Sequence, residues 1–146
     1  MMSNGNFKFK LVNILTNQFA LIEEHFSEDV STVQLSLNHK FGIDIEKRNI
    51  ALKNQIRFLS DNQIFIIVEI TCTFNISEES WVELRIEEKS EIVIPSGFAT
   101  QLLVLTVGSA RGVLHAKTEN TKFNKYFLPT LDLSKSIEND IVFNVE

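Results

Sequence analysis

Apolar and polar residues alternate with a period of two through most of the first two-thirds of the chain, the mark of strands with one buried face. From Val33 to Ile45 the odd positions read Val33, Leu35, Leu37, His39, Phe41, Ile43 and Ile45, while the even positions are polar or glycine. After Glu46-Lys47-Arg48 the pattern restarts with Ile50, Leu52, Ile56 and Phe58, and Ser60-Asp61-Asn62-Gln63 reads as a turn. The even positions then run Ile64, Ile66, Val68, Ile70, Cys72, Phe74 and Ile76. Ser77-Glu78-Glu79-Ser80 reads as a second turn, after which Val82, Leu84 and Ile86, then Ile92 and Ile94, predict continued strand. Short polar links between such segments favour antiparallel neighbours. Residues 7–24 predict a further strand whose apolar phase changes along its length. It moves from Phe7, Phe9 and Leu11 to Val12 and Ile14, then to Phe19 and Leu21. Such a change points to a bulge, or to two halves serving different neighbours.

At Pro95 the period changes. From Ser96, a candidate N-cap, apolar residues recur at helical spacing: Ala99, Leu103, Val107, Ala110 and Leu114 on one face, Phe98, Leu102, Leu105 and Val113 on another. A helix apolar on most of its circumference needs cover on more than one side. Gly108, Gly112 and Ala116 recur every four residues within it. Together with Leu105 they are candidates either for close packing on the chain's own sheet or for a helix–helix contact with a second subunit. The segment that follows gathers Phe123, Tyr126, Phe127 and Leu128. In the tail, Ser134 suits the cap of a last helical turn, whereas Ile141, Phe143 and Val145 alternate like a strand. No repeat or low-complexity tract divides residues 1–146, so a single domain is expected.

Composition narrows the function classes. The net charge is −5 and the cations are scattered, so no basic surface for nucleic acid is expected. One cysteine, Cys72, rules out an intrachain disulfide and a cysteine-based zinc site within one chain. The N-terminal residues lack the apolar run of roughly 7–15 residues that a signal peptide needs. The apolar stretch Phe98–Val107 is shorter than the ~20 residues of a membrane span. A cytosolic location without membrane insertion is the expectation.

Candidate chemistry is sparse. His25, His39 and His115 stand apart in sequence, with no metal-binding spacing; His39, in the apolar phase of its strand, reads as a packed histidine. Cys72 reads as a small core residue. Ser109, His115 and Asp132 make a triad only on paper, since Ser109 sits mid-helix without a nucleophile elbow. Gly108-Ser-Ala-Arg-Gly112 lies within a helix and forms no phosphate loop. No catalytic residue, metal site or cofactor is expected, and the chain does not read as an enzyme.

Several strands, a long apolar helix and an aromatic segment give an α+β order. Ala110-Arg111 inside the helix, and Phe127-Leu-Pro-Thr-Leu-Asp-Leu133 after it, resemble the helix and post-helix stretch of the SecB family of export chaperones. Phe9–Leu21 is similar to that family's first strand, and Val33-Gln-Leu-Ser-Leu37 to the start of its second. The resemblance implies an antiparallel four-stranded, or slightly larger, sheet with one long helix packed on it and a short C-terminal element. It also implies protomers paired through strands and stacked through helices as a dimer of dimers. The implied function is to hold unfolded polypeptides or preproteins along apolar grooves without ATP. Phe26, Phe123, Tyr126, Phe127 and Leu128 then fall where clients bind, although the same aromatics also suit an ordinary core. The family's acidic docking positions for the SecA motor match Gln18 and Ile22, with carboxylates displaced to Glu23 and Glu24. A dedicated role, such as guarding an antitoxin, is therefore the alternative to general export.

Overall fold

A computed structural model describes residues 6–27 and 32–145. Four strands form the main sheet: β1 (Phe9–Leu21), β2 (Val33–Asp44), β3 (Asn49–Ser60) and β4 (Gln63–Ile76). They are all antiparallel, in the order β1-β4-β3-β2. Local chemistry closes the hairpins. Asp61 and Asn62 both take left-handed backbone, with φ of 50° and 66°, as a tight two-residue hairpin requires. In the β2–β3 turn the Asp44 carboxylate accepts from the Lys47 amide at 3.2 Å.

The expected phase change in β1 has a structural cause. Its register on β4 shifts between Leu11 and Asn13, and again between Thr16 and Gln18. Each bulge moves the inward phase by one residue, so Leu11, Ile14 and Phe19 all lie on the same face as Phe74, Cys72 and Val68 of β4.

That inner face carries the core. Ile50, Leu52 and Ile56 of β3, with Ile66, Val68, Ile70, Cys72, Phe74 and Ile76 of β4, are fully buried. Across them lies α2 (Ser96–Thr118), which packs on β3 and β4 and buries Phe98, Ala99, Leu102, Leu103, Val107, Ala110 and Leu114. By length and mean hydropathy α2 is apolar enough to cross a membrane; here it is the helix that closes the core of the sheet.

Two expectations are corrected and one open alternative is decided. First, the turn read at Ser77–Ser80 and the strand read at Val82 and Leu84 are together a short helix, α1 (Glu78–Leu84), with Ser77 as its N-cap. The Ser77 hydroxyl accepts from the Ser80 amide at 3.2 Å, and Trp81 and Leu84, three residues apart, turn inward. Val82, which the alternation assigned to a buried face, is 66% exposed. Second, Ser96 does not cap α2. Pro95 occupies the N-cap without a side-chain bond, and the carboxylate of distant Asp140 accepts from the Ser96 amide at 2.8 Å. Of the two readings of the tail, the strand is the one that forms, and Ser134 lies in a turn. β7 (Ile141–Asn144) pairs with β6 (Glu91–Ile94), which pairs with β5 (Arg85–Ile86), giving a separate three-stranded antiparallel sheet.

Candidate functional site

Beyond α2 the chain folds back over one end of the main sheet and meets the loop that follows β1. Phe65, buried at the start of β4, is the hub of an aromatic cluster. Tyr126 lies 5.1 Å from it centre to centre, Phe26 5.2 Å, Phe123 6.3 Å and Phe58 6.4 Å. The loop is tied down where Nδ1 of His25 lies 2.9 Å from the Ile64 carbonyl oxygen. Lys122 and Lys125 stand over the rings of Phe26, Phe123 and Tyr126 at 5.5–6.0 Å. Lys122 also pairs with Glu23 at 3.8 Å. Cations over aromatic faces are attracted to the ring electrons while remaining in water, so the cluster is apolar beneath and polar at its lip.

The five aromatic and aliphatic residues singled out for clients divide by depth. Phe123 and Leu128 are buried and form the floor. Phe26 and Tyr126 are half-buried. Phe127 is 59% exposed and stacks on His115 with ring centres 6.3 Å apart. Arg111 fixes this segment. Its Nε donates to the Leu128 carbonyl at 3.0 Å and its Nη2 to the Pro129 carbonyl at 2.9 Å. The two short stretches on which the SecB resemblance rested are thus physically joined.

Next to the cluster runs an apolar row that the sequence marked as strand but not as surface. Leu35 lies opposite Phe58 in register, and Phe58 is 5.9 Å from Tyr126. From there Leu35, Leu37, Phe41 and Ile43 follow the inner face of the edge strand β2, each half-buried against the core. Leu131 and Leu133 of the post-helix segment are half-buried in the same way. His39 interrupts the row; contrary to expectation it is exposed, with only an edge-on ring contact to Phe41 at 6.0 Å.

A second apolar surface lies on the opposite flank. On β1, Leu11 and Ile14 face the helix side yet are each 46% exposed, because α2 packs on β3 and β4 instead. On α2, Leu105, Gly108, Gly112 and Ala116 are all exposed. A Cβ added at Gly108 or Gly112 would meet no atom within 4 Å. Close packing on the protomer's own sheet is therefore not what these glycines serve. Two glycines in a helix interior cost about 1 kcal/mol each relative to alanine, and nothing among the described residues of the protomer requires them.

Ser109 and Asp132 of the paper triad are engaged with other groups. The Ser109 hydroxyl donates to the Leu105 carbonyl at 3.0 Å, while Asp132 accepts from the hydroxyl and amide of Ser134 at 2.6 and 3.0 Å. The Ser134 hydroxyl, then its amide, hold the Asp132 carboxyl below its ordinary range. Cys72 is buried. Among the described residues no three His, Cys, Asp or Glu side chains gather as metal ligands would.

No family model matches the sequence. A search of curated proteins likewise finds no match. Comparison of folds does. The SecB-like chaperone Rv1957 of Mycobacterium tuberculosis, solved in complex with a ChAD peptide from the Rv1956 HigA1 antitoxin, superposes with a TM-score of 0.51 over 84% of this chain and 90% of that one, at 12% identity. The fold is SecB-like. A protein of unknown function from Streptococcus agalactiae aligns over 88% of this chain and 100% of its own, with a TM-score of 0.39 and 10% identity. The SecB-like fold accounts for the four-stranded antiparallel sheet, the long helix upon it and the small second sheet.

Proposed function

We propose that the protein is an ATP-independent holding chaperone that binds non-native polypeptides along the β2 row and the aromatic lip. The observation that carries this reading is the continuity of that surface. Leu35, Leu37, Phe41 and Ile43, interrupted by His39 alone, lead through Phe58 to Tyr126 and Phe26, with Lys122 and Lys125 at the lip. Covering ~1,000 Å² of apolar surface is worth roughly 25 kcal/mol gross, most of it offset by ordering the client. An apolar row has little sequence code, so many extended segments fit it. Phe123 and Leu128 support the surface from below. Its polypeptide-bound SecB-like counterpart from M. tuberculosis favours the same mode.

The reading includes self-association in the cytosol as a dimer of dimers. Free β1 edges would pair, and the Leu105, Gly108, Gly112 and Ala116 faces would stack, covering Leu11 and Ile14 as well. Docking on the SecA motor is left out. Gln18 and Ile22 stand at the matching places, and the outward strand positions carry more cations than carboxylates. A second reading, service to one dedicated client, is favoured by the antitoxin peptide bound to the M. tuberculosis protein.

Dilution of a chemically denatured client into buffer with equimolar protein and no nucleotide tests the proposal by light scattering. Suppressed aggregation is expected. An unchanged aggregation curve in several-fold molar excess overturns the general reading. Co-purification of a single protein that alone is protected would then favour the dedicated one.

A further inference from the structure

The outward side of the main sheet has a charge pattern opposite in sign to that of the whole chain. The chain carries a net charge of −5, yet the outward strand positions hold Lys10, Lys40, Lys53 and Arg57 against only Asp44 and Glu69. Both carboxylates are occupied. Asp44 accepts from the Lys47 amide at 3.2 Å, and Glu69 accepts from the Gln55 side-chain amide at 3.1 Å.

Lys40 and Lys53 stand directly opposite each other across β2 and β3. Like charges at facing positions of an antiparallel pair repel and destabilise it, and among the described residues neither ammonium pairs with a carboxylate. Beside them the sheet surface sinks. Gly42, Ala51 and Thr71 floor a depression of about 190 Å³ walled by Lys40 and Lys53. A Cβ added at Gly42 would meet nothing within 4 Å. A second depression of about 110 Å³, bordered by Asn38, Gln55 and Glu69, lies on the other side of the two lysines. Arg57, ~13 Å further along β3 at strand rise, donates from Nη2 to the Ser36 hydroxyl at 3.4 Å, and its Nε is buried without a partner.

We propose that this face docks an extended acidic peptide segment of a partner protein, its carboxylates seated at the Lys40–Lys53 pair. An extended chain places alternate side chains on one face, so carboxylates two or four residues apart reach from the lysine pair toward Arg57. The amides of Asn38 and Gln55 lie between for short polar side chains. A polyphosphate suits the face less well, because its unbroken row of charges would meet Glu69 between Lys53 and Arg57, where a peptide can place an uncharged side chain. The site is on the side of the sheet away from α2. Acidic partner and apolar client therefore bind independently, and this proposal stands or falls apart from the holding function.

A fluorescent peptide of alternating Glu and Thr is the probe, followed by anisotropy and by amide chemical-shift mapping on the full chain. Binding at low salt is expected, centred on Lys40, Gly42 and Lys53 and weakening as salt rises. The double variant K40T/K53T should lose about tenfold in affinity, as expected from two exposed charge contacts at low ionic strength. Because it removes a repelling pair and introduces good strand residues, it should melt no lower than the parent protein, which separates lost binding from lost folding. Gly42→Gln fills the depression and should weaken the peptide in the same way. Shifts elsewhere on the surface, undiminished affinity in K40T/K53T, or preference for single-stranded DNA or phosphatidylserine vesicles over the peptide would each overturn the proposal. Suppression of client aggregation should be unchanged in both variants.

Discussion

Two side chains hold together parts of the protein that no local pattern connects. Arg111 fastens the post-helix segment through the Leu128 and Pro129 carbonyls. Arg111→Ala should cost about 1–2 kcal/mol, the lower part of the range for bonds from a charged donor, because the Leu128 bond is part-buried and the Pro129 bond exposed. Hydrogen exchange over residues 126–133 should rise while that of β3 and β4 stays slow. Asp140 caps α2 from 44 positions away in sequence, so Asp140→Ala should cost about 0.5–2 kcal/mol by denaturant titration, and Asp140→Asn much less. Ser96 was the legible candidate for that cap, because sequence shows only neighbours along the chain; a carboxylate arriving from the far strand leaves no local sign. Asp132 gives a pH dependence. Its carboxyl is held low by Ser134, so its contribution is present above the unfolded pKa and lost as pH falls through the lower folded one. Asp132→Asn should therefore flatten the acid limb of the stability profile slightly, the group being exposed.

At the scale of elements, periodicity was legible wherever one face is buried and the other wet. Both bulges in β1 fall where the apolar phase slips, and each keeps the apolar residues on the helix side of the sheet opposite Phe74, Cys72 and Val68. The same rule misled at Val82 and Leu84. These two alternate by coincidence, while the Ser77 cap and the inward pair Trp81 and Leu84 decide for helix, and the strand resumes only at Arg85–Ile86. For α2 the sequence left two uses of its glycines open, and the open space around Gly108 and Gly112 removes the intramolecular one. Single alanines there should raise the stability of a dissociated protomer by about 1 kcal/mol each through helix propensity. Gly112→Leu should leave the far-ultraviolet circular dichroism intact but lower the mass found by sedimentation. A mass equal to that of the parent protein would count against helix stacking.

For the whole molecule, the α+β order and the long helix on its sheet could be read from pattern, and the short post-helix resemblance pointed to the SecB-like fold. Depth could not be read. Phe123, Tyr126 and Phe127 look alike in sequence, yet one is floor, one half-buried and one 59% exposed, because depth depends on where the segment lands relative to Phe65 and Arg111. The half-exposed row on β2 was likewise hidden, since an edge strand and a central strand share the same alternation. Phe127→Ser should shift stability by no more than about 0.5 kcal/mol, as for an exposed side chain, while weakening client holding several-fold. The most direct test labels the Ile, Leu and Val methyl groups and titrates the protein with an unfolded polypeptide under observation by NMR. Shifts should concentrate on Leu35, Leu37, Ile43, Leu131 and Leu133, with fully buried Ile50 and Ile70 nearly silent. An unperturbed β2 row, with the polypeptide either unbound or held elsewhere, would contradict the proposed holding surface.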